Sequence, residues 1–529
     1  MPKEIVEQGM TAKDLQEGMR KEIQSLKDFK TYTWVKHSEA KKAGVNKIVR
    51  LTWVHKVKIE ENGRKFVKSR LALRGDMLEP GVSFNPDQLF VPCASHRSLL
   101  MLAKLTAWHG NKLYGIDFKN AYLNARMKDP VFAYAPDVMD REGKEGMILR
   151  VDGALYGAPQ AGRRWYDILA PQLQKLGFRL LDSDLCMFVE KDKPIREAIV
   201  GVFHVDDLIF SAPSTEAYEK FASALEKYYP LKRLGVAKEF KGIEIVQEKG
   251  RIILHQRKYQ LQVLREFGYD KSRPVSTPAL SQLPEAMSEG TALRKFSIAS
   301  IVGSLLYLSK MTRPDIEQAL NAASVMQTLD KGVTYAMLGR ILRYLVGSFR
   351  GLAYNGPKSS QEGQSYPKVT LWPDAAHKVC AKTGKSRTGY VILWGGDPIG
   401  WLSKRQSRIA LSSNDAEIFA ATECIREGLA VSHVRQELGI PQKGAIEIYE
   451  DNTQTILAGE RGLSGPRTKH IPLELHFIHH SQRDGEIKFI KVSTKKQIGD
   501  LLTKPLARDQ FTYLLDKFTV IISDSISPE

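Results

Sequence analysis

The chain has 529 residues, 43% hydrophobic and 26% charged, with a net charge of +18. That length accommodates roughly three or four domains of about 100–200 residues, and the excess of Lys and Arg points first to nucleic acid as a partner. No apolar run approaches the roughly 18 residues a membrane span needs, the charged opening "MPKEIVEQGMTAKDLQEGMRKEIQ" predicts no secretory leader, and Cys93, Cys186, Cys380 and Cys424 form no C-x-x-C pair, which argues against a zinc ribbon or disulfide framework.

Along the chain, residues to about 45 read as helical and charged. "KIVRLTWVHKVKIEENGRKFVKSRLALRG" then places β-rich runs on both sides of an Asn-Gly turn, which predicts a hairpin. "SHRSLLMLAKLTAWHG" has helical spacing, with Ser95 as N-cap and Gly110 as stop. "NKLYGIDFKNAYLNA" predicts a strand running into a turn and a helix, and "KSRPVSTPALSQLPEAMSEG" a Pro/Ser-rich loop. "TYAMLGRILRYLVGSF" is an amphipathic helix, and "NGPKSSQEGQSYP" (355–367) a polar linker. Beyond it, "KVTLWPDAA", "TGYVILWGG" and "PIGWLSKRQ" predict consecutive strands. "NDAEIFAATECIREGLAVSHVRQEL" predicts a long helix and "AIEIYEDN" another strand.

Two sets of carboxylates stand out. In "AIVGVFHVDDLIFSA", Asp206 and Asp207 interrupt an apolar run, which suggests a hairpin with the aspartates at its bend. Asp117, at the end of the apolar strand "LYGID", is the candidate third member. Phosphoryl transfer needs the charge on attacking and leaving oxygens neutralised, and paired Mg²⁺ ions held by carboxylates do this. Taken singly, an Asp-Asp in a turn and an Asp at a strand end are common structural features.

In order, "GIDFKNAYLNA", "LYGAPQAGRRWY", "FHVDDLIF", "LGVAKEFKGIEI", "HQRKYQLQVLREFG" with "PVSTP", and "GSLLYLSKMTRPDI" together resemble the reverse transcriptase of Ty1/copia-type LTR retrotransposons. The resemblance implies an α+β right-hand polymerase of fingers, palm and thumb, with Asp117, Asp206 and Asp207 as its metal-binding aspartates. It implies that Tyr122 lies under the incoming sugar and excludes a 2′-OH, that Gln160 lies near the nucleotide's 3′-OH, and that Lys68 and Arg70 contact its phosphates, with Arg74 an alternative in the same stretch. One departure is His204, where the family usually carries Tyr before V-D-D.

The second set is Asp374 in "LWPDAAH", Glu417 in "SSNDAEIFAA", Asp451 in "IYEDNTQ" and Asp500 in "QIGDLLTKPL". Strand-end carboxylates facing one helical acid can build a two-metal nuclease site. With "SRTGYVILWGGDPIGWLSKRQ", "RTKHI" and "DGEIKFIKVSTKKQIGDLLTKPL", these blocks resemble the family's ribonuclease H domain, an α/β fold with a mixed sheet, and the four acids match its D-E-D-D metal ligands. Ala376 stands where the family usually has a second Asp. His470 belongs to a family motif without an assigned role, and "HFIHH" (His476, His479, His480) reads as a solvated or RNA-facing cluster rather than a metal site.

The resemblance implies an N-terminal helical region over 1–45, fingers and palm over 46–255, thumb or connection over 256–354, a linker over 355–367, ribonuclease H over 368–506 and a C-terminal helix and tail over 507–529. It implies Mg²⁺, two per site, or Mn²⁺ in its place. Expected partners are RNA template, DNA primer, RNA–DNA hybrid and deoxynucleoside triphosphates, with no membrane. The family's capsid, protease and integrase parts are absent from this stretch, which therefore reads as a processed product or a fragment and makes those parts expected partners. Cytoplasmic virus-like particles, with nuclear entry, are the expected location. The competing reading is a decayed or domesticated element that only binds nucleic acid.

Overall fold

A computed structural model of the chain describes residues 2–45, 47–60, 63–81, 83–281, 291–357, 365–379, 383–461 and 472–523. The N-terminal region is helical in α1 (Lys3–Glu7) and α2 (Ala12–Asp28). Thr11 and Asp14 close a capping box on α2, each side chain accepting a bond from the other's backbone N–H. The expectation of helix to residue 45 is corrected at β1 (Tyr32–Lys36), which precedes the short helix α3 (His37–Lys42). "YTWVK" is rich in β-branched and aromatic residues, and their strand preference prevails.

The expected hairpin is β2 (Leu51–Ile59) with β3 (Lys65–Leu73), in antiparallel register from Leu51↔Leu73 to Ile59↔Lys65. Helix α4 (His96–His109) starts where Ser95 Oγ accepts from Ser98 N and stops at Gly110, whose φ of 69° is the left-handed conformation that glycine adopts freely. Strand β4 (Lys112–Phe118) follows. After it come not a full helix but a single 3₁₀ turn (Ala121–Asn124), then β5 (Arg126–Ala133) and β6 (Met147–Gly153), which join β1 in a sheet of order β1-β6-β5.

Next come α5 (Ala161–Lys175), β7 (Phe178–Leu180), β8 (Met187–Glu190), β9 (Val200–His204), β10 (Asp207–Ala212), α6 (Thr215–Glu226) and β11 (Leu231–Val236). Strands β4 and β7–β11 form one antiparallel sheet of order β11-β4-β10-β9-β8-β7. Its centre is apolar on both faces, with Ile116, Leu208, Val202 and Phe210 fully buried. An antiparallel sheet covered by α4 on one face and α5 and α6 elsewhere holds its strand ends rigidly, and the carboxylates sit at those ends.

Strands β12 (Glu239–Phe240), β13 (Ile243–Glu248), β14 (Arg251–His255) and β15 (Arg350–Asn355) continue into a further sheet, with helices α7 (Arg257–Glu266), α8 (Ile298–Met311), α9 (Glu317–Met326) and α10 (Lys331–Gly347) inserted before β15. The last sheet contains β16 (Val369–Ala376), β17 (Arg387–Trp394), β18 (Asp397–Arg405), β19 (Ile446–Glu450) and β20 (Ile487–Lys491) in the order β18-β17-β16-β19-β20. Its first three strands are antiparallel and β16-β19-β20 are parallel, the mixed sheet expected from the sequence. Helix α11 (Ser413–Glu437) lies across it, then α12 (Thr453–Arg461), α13 (Pro472–Arg483), α14 (Asp500–Thr503) and α15 (Arg508–Leu515). Strand β21 (Val520–Ile521) returns to pair with β15.

The two halves share one apolar core that runs from Leu99 and Leu105 of α4 to Trp394 and Ile399 of the last sheet. Polar anchors reinforce it. Trp401 Nε1 donates to Ser309 O at 3.0 Å, Ser403 N donates to Glu317 Oε1 at 3.1 Å, and Arg97 pairs with Glu427.

Candidate active sites

At the first site, β4 ends beside the start of β10, so that Asp207 pairs directly with Asp117 across one ladder and with His204 across the other. The hairpin is the one expected, but only Val205 and Asp206 form its bend; Asp207, expected there too, is the first residue of β10, because it pairs with His204 and Asp117. Val205 has φ +56°, a costly conformation for a β-branched residue. Two bonds hold it: Trp165 Nε1 donates to Val205 O at 2.6 Å and Phe118 N to Asp206 O at 2.8 Å. The bend therefore fixes three carboxylates against the end of one strand pair.

Burial raises the pKa of Asp117, and Asp206 raises it further, while Lys68, Lys232 and Arg70 pull it down. Asp207 is pushed up to about 6, first by burial and then by Asp206 and Asp117. Along β3, Val67, Ser69 and Leu71 are buried, while the alternate residues Lys68 and Arg70 point to the site. The Arg70 guanidinium lies 4.5 Å from the centre of the Tyr156 ring, and Tyr156 lies 5.5 Å from Tyr122. Arg74 is instead drawn aside by Asp76, at 2.6 Å, and does not reach this cluster. Asn120, at φ +51°, turns the chain so that Tyr122 follows it on the 3₁₀ turn. Gln160 is buried at the N-cap of α5, whose first turn approaches Tyr122.

Sequence reasoning missed Lys241. It lies between β12 and β13 at φ +50°, and its charge acts on both Asp207 and His204. The Lys-Gly pair is a turn signal, but only the tertiary fold brings that turn to the aspartates.

At the second site, β16 and β19 run parallel in the register Leu371↔Ile448, which brings Asp374 and Asp451 together at adjacent strand ends. Glu417 approaches from α11 and Asp500 from the start of α14. Burial is the main cause of raised pKa at Asp374 (to about 7), at Glu417 and at Asp500, and Asp451 raises all three further. The four predicted acids are thus brought together. Two cation or donor groups were not anticipated. Thr503 Oγ1 donates to Asp374 Oδ2, and Lys504 Nζ lies 2.6 Å from Asp500 Oδ1 and 3.8 Å from Asp374 Oδ2. A fifth acid, Glu450, is also present, fully buried and pushed up to about 8 by burial and by Asp374 and Asp451. Strand alternation makes Glu450 an inward residue, a signal available in "IYED". Ala376 pairs with Arg387 in the ladder, leaving no acid at that place. His479 Nδ1 bonds Gly459 O at 3.0 Å, and the rings of His476 and His480 lie 6.3 Å apart, tilted to one another, on α13; His470 lies outside the described residues.

Both sets offer only oxygen donors, which hard divalent cations take. That donor chemistry fits Mg²⁺. Among the described residues, no group of three or more His, Cys, Asp or Glu is drawn close enough to hold an ion as it stands. Among the described residues no helix is long and apolar enough to cross a membrane.

An aspartate hairpin on an antiparallel sheet is followed by a carboxylate-rich mixed sheet of order β18-β17-β16-β19-β20, and both acid sets suit metal-assisted phosphoryl transfer. Residues 29–281 match the family "Reverse transcriptase (RNA-dependent DNA polymerase)". The chain is 30% identical over 509 residues to the Retrovirus-related Pol polyprotein from transposon TNT 1-94 of Nicotiana tabacum, covering 94% of this chain and 37% of that protein. It is 28% identical over 476 residues to the Retrovirus-related Pol polyprotein from transposon RE2 of Arabidopsis thaliana, covering 90% of this chain and 32% of that one. A solved structure, the crystal structure of LC11-RNase H1 in complex with RNA/DNA hybrid, aligns with 26% of this chain and 94% of its own at 15% identity and a TM-score of 0.20. Residues 29–281 thus belong to that reverse transcriptase family, and the chain as a whole is similar to retrotransposon Pol polyproteins. It spans about a third of the length of those curated relatives.

Proposed function

We propose that this protein copies RNA into DNA and degrades the RNA of the resulting hybrid, working as fingers, palm and thumb (46–255 and 256–354) followed, past the linker at 355–367, by a ribonuclease H unit (368–506). The observation that carries this reading is the direct pairing of Asp117 with Asp207 beside the Asp206 bend. When bound, two Mg²⁺ or Mn²⁺ ions per site neutralise charge on the attacking and leaving oxygens. Asp117, Asp206 and Asp207 would hold the ions at the first site. Lys68 and Arg70 grip the triphosphate, with Arg able to bond phosphate in bidentate fashion. Tyr122 lies beneath the sugar and Gln160 near its 3′-OH. In the second site Asp374, Glu417, Asp451 and Asp500 hold the ions, and Thr503 and Lys504 fix the Asp374–Asp500 pair.

Template, primer and hybrid are bound mainly through phosphates by the surplus Lys and Arg. RNA template, DNA primer and deoxynucleoside triphosphates are the substrates. Capsid, protease and integrase parts of a common polyprotein are the proposed companions, in cytoplasmic particles with nuclear entry. The test is Mg²⁺-dependent primer extension on an RNA template, with Asp206→Asn as control, and cleavage of labelled RNA in a hybrid, with Asp451→Asn. Each variant is expected to lose its own activity and keep the other. Wild-type protein that binds hybrid yet neither extends nor cleaves overturns the reading and supports a decayed element that only binds nucleic acid. The retention of all seven carboxylates at two built sites favours the enzyme.

A further inference from the structure

The family match begins at residue 29 and so leaves α1 and α2 outside it. Yet α2 lies directly behind the strand that carries Lys68 and Arg70. Val67, Ser69 and Leu71 are buried residues that alternate with Lys68 and Arg70 along β3, and α2 packs against this strand. Gly18 makes this approach possible, because a Cβ there would run into Val67 O and Ser69 Oγ. One turn further on, Glu22 is buried and its Oε1 accepts from Leu71 N at 3.1 Å. That N–H belongs to the residue after Arg70. Two turns on from Gly18, Ser25 Oγ accepts from Asn120 Nδ2 at 2.8 Å. Asn120 is the left-handed residue that turns the chain from Asp117 toward Tyr122.

Gly18, Glu22 and Ser25 follow i, i+4, i+7 spacing and so lie on one face of the helix. That single face bonds the backbone beside the phosphate-binding Arg70 and the side chain that sets the turn before Tyr122. The helix is fixed in turn by its capping box and by Leu26, which packs in the same core as Leu71 and Leu123.

Resting on the polymerase reading above, we propose that α2 is part of the nucleotide site: Glu22 is a positioning residue for Lys68 and Arg70, and Ser25 is a positioning residue for Tyr122. A helix face with two attachments holds the phosphate grip and the sugar platform at a fixed separation. Loosening the first attachment weakens triphosphate binding, and loosening the second weakens selection against ribonucleotides.

The experiment uses the full chain carrying Glu22→Ala, Glu22→Gln or Ser25→Ala. It reads deoxynucleotide KM and kcat in primer extension, incorporation of ribonucleotides relative to deoxynucleotides, and hybrid cleavage. Loss of one positioning hydrogen bond is expected to raise KM about tenfold in Glu22→Ala with a smaller change in kcat. Glu22→Gln retains an acceptor oxygen and restores KM. Ser25→Ala is expected to increase ribonucleotide incorporation severalfold. Hybrid cleavage stays at the wild-type rate in all three. If Glu22→Ala lowers extension and cleavage alike by unfolding the chain, the half-buried Ser25→Ala decides the matter. Wild-type protein that extends primers while Glu22→Ala and Ser25→Ala keep its KM and its selectivity overturns the role of α2. Wild-type protein that does not extend at all overturns the polymerase reading instead.

Discussion

Lys104 Nζ lies 2.7 Å from Asp397 Oδ2, and both side chains are buried. Lys104 also donates to Asn355 O, while Asn355 donates its backbone N–H and Nδ2 to the same aspartate. This pair ties α4, which covers the sheet carrying Asp117 and Asp207, to β18 of the last sheet. Breaking a buried pair strands one charge, at a cost of roughly 3–5 kcal/mol. Lys104→Met and Asp397→Asn are each expected to destabilise the whole chain on that scale in denaturant unfolding. A Lys104→Met/Asp397→Asn double variant recovers most of the loss, because neither charge remains and the amide oxygen still accepts from Asn355.

The acidic sites are unfavourable to the fold without cations, and Asp207 shows it. Its folded pKa of about 6 lies above the ordinary 3.8. Folding therefore favours its protonated form, so the cation-free protein loses stability as pH rises between those values and stays penalised above them. In chelator at neutral pH, Asp207→Asn is expected to melt higher than wild type while failing to extend primers. Added Mg²⁺ should stabilise wild type more than the variant. Melting curves at pH 4 and pH 7, with and without Mg²⁺, check both signs.

Lys504 offers a separate test at the second site. Its charge lies 3.8 Å from Asp374 and pulls that acid's pKa down against burial. Lys504→Met removes the pull, so Asp374 should hold its proton to higher pH. The acid limb of the pH profile for hybrid cleavage is expected to move upward, and primer extension to stay unchanged. A profile that does not move shows that Lys504 has no electrostatic hold on Asp374.

Asp117, Asp206, Asp207, Asp374 and Asp451 were legible because they interrupt or end apolar strand runs, whereas Glu417 and Asp500, on helices, were legible only through the sequence blocks around them. Ser95 and Gly110 were legible as caps for similarly local reasons. Lys241, Thr503 and Lys504 were not, because ordinary surface-type residues acquire a role only when a turn or a short helix is folded against a distant strand. Strand β1 was hidden in a charged region, since its register depends on β6, more than 100 residues away. Helix α2 read only as part of a helical, charged region. Its meaning rests on Leu71 and Asn120, partners that periodicity cannot name.

His204 is the place where the polymerase core departs from the family pattern, and its surroundings say what the departure costs. It pairs with Asp207 across the hairpin. Burial and then Lys241 depress its pKa, so the imidazole is neutral at pH 7, and its Nδ1 is buried with no hydrogen-bond partner among the described residues. A buried orphan of this kind costs about 1–3 kcal/mol. His204→Phe fills the same half-buried place without that atom and is expected to raise stability by about 1 kcal/mol. His204→Tyr removes the orphan too and carries its polar group to the outer edge of the ring, where water reaches it. It is therefore expected to extend primers at least as fast as wild type. Slower extension by the tyrosine variant at equal or greater stability would mean that Lys241 and the neighbouring aspartates have been fitted to an imidazole, so that the orphaned nitrogen is kept for the sake of the reaction.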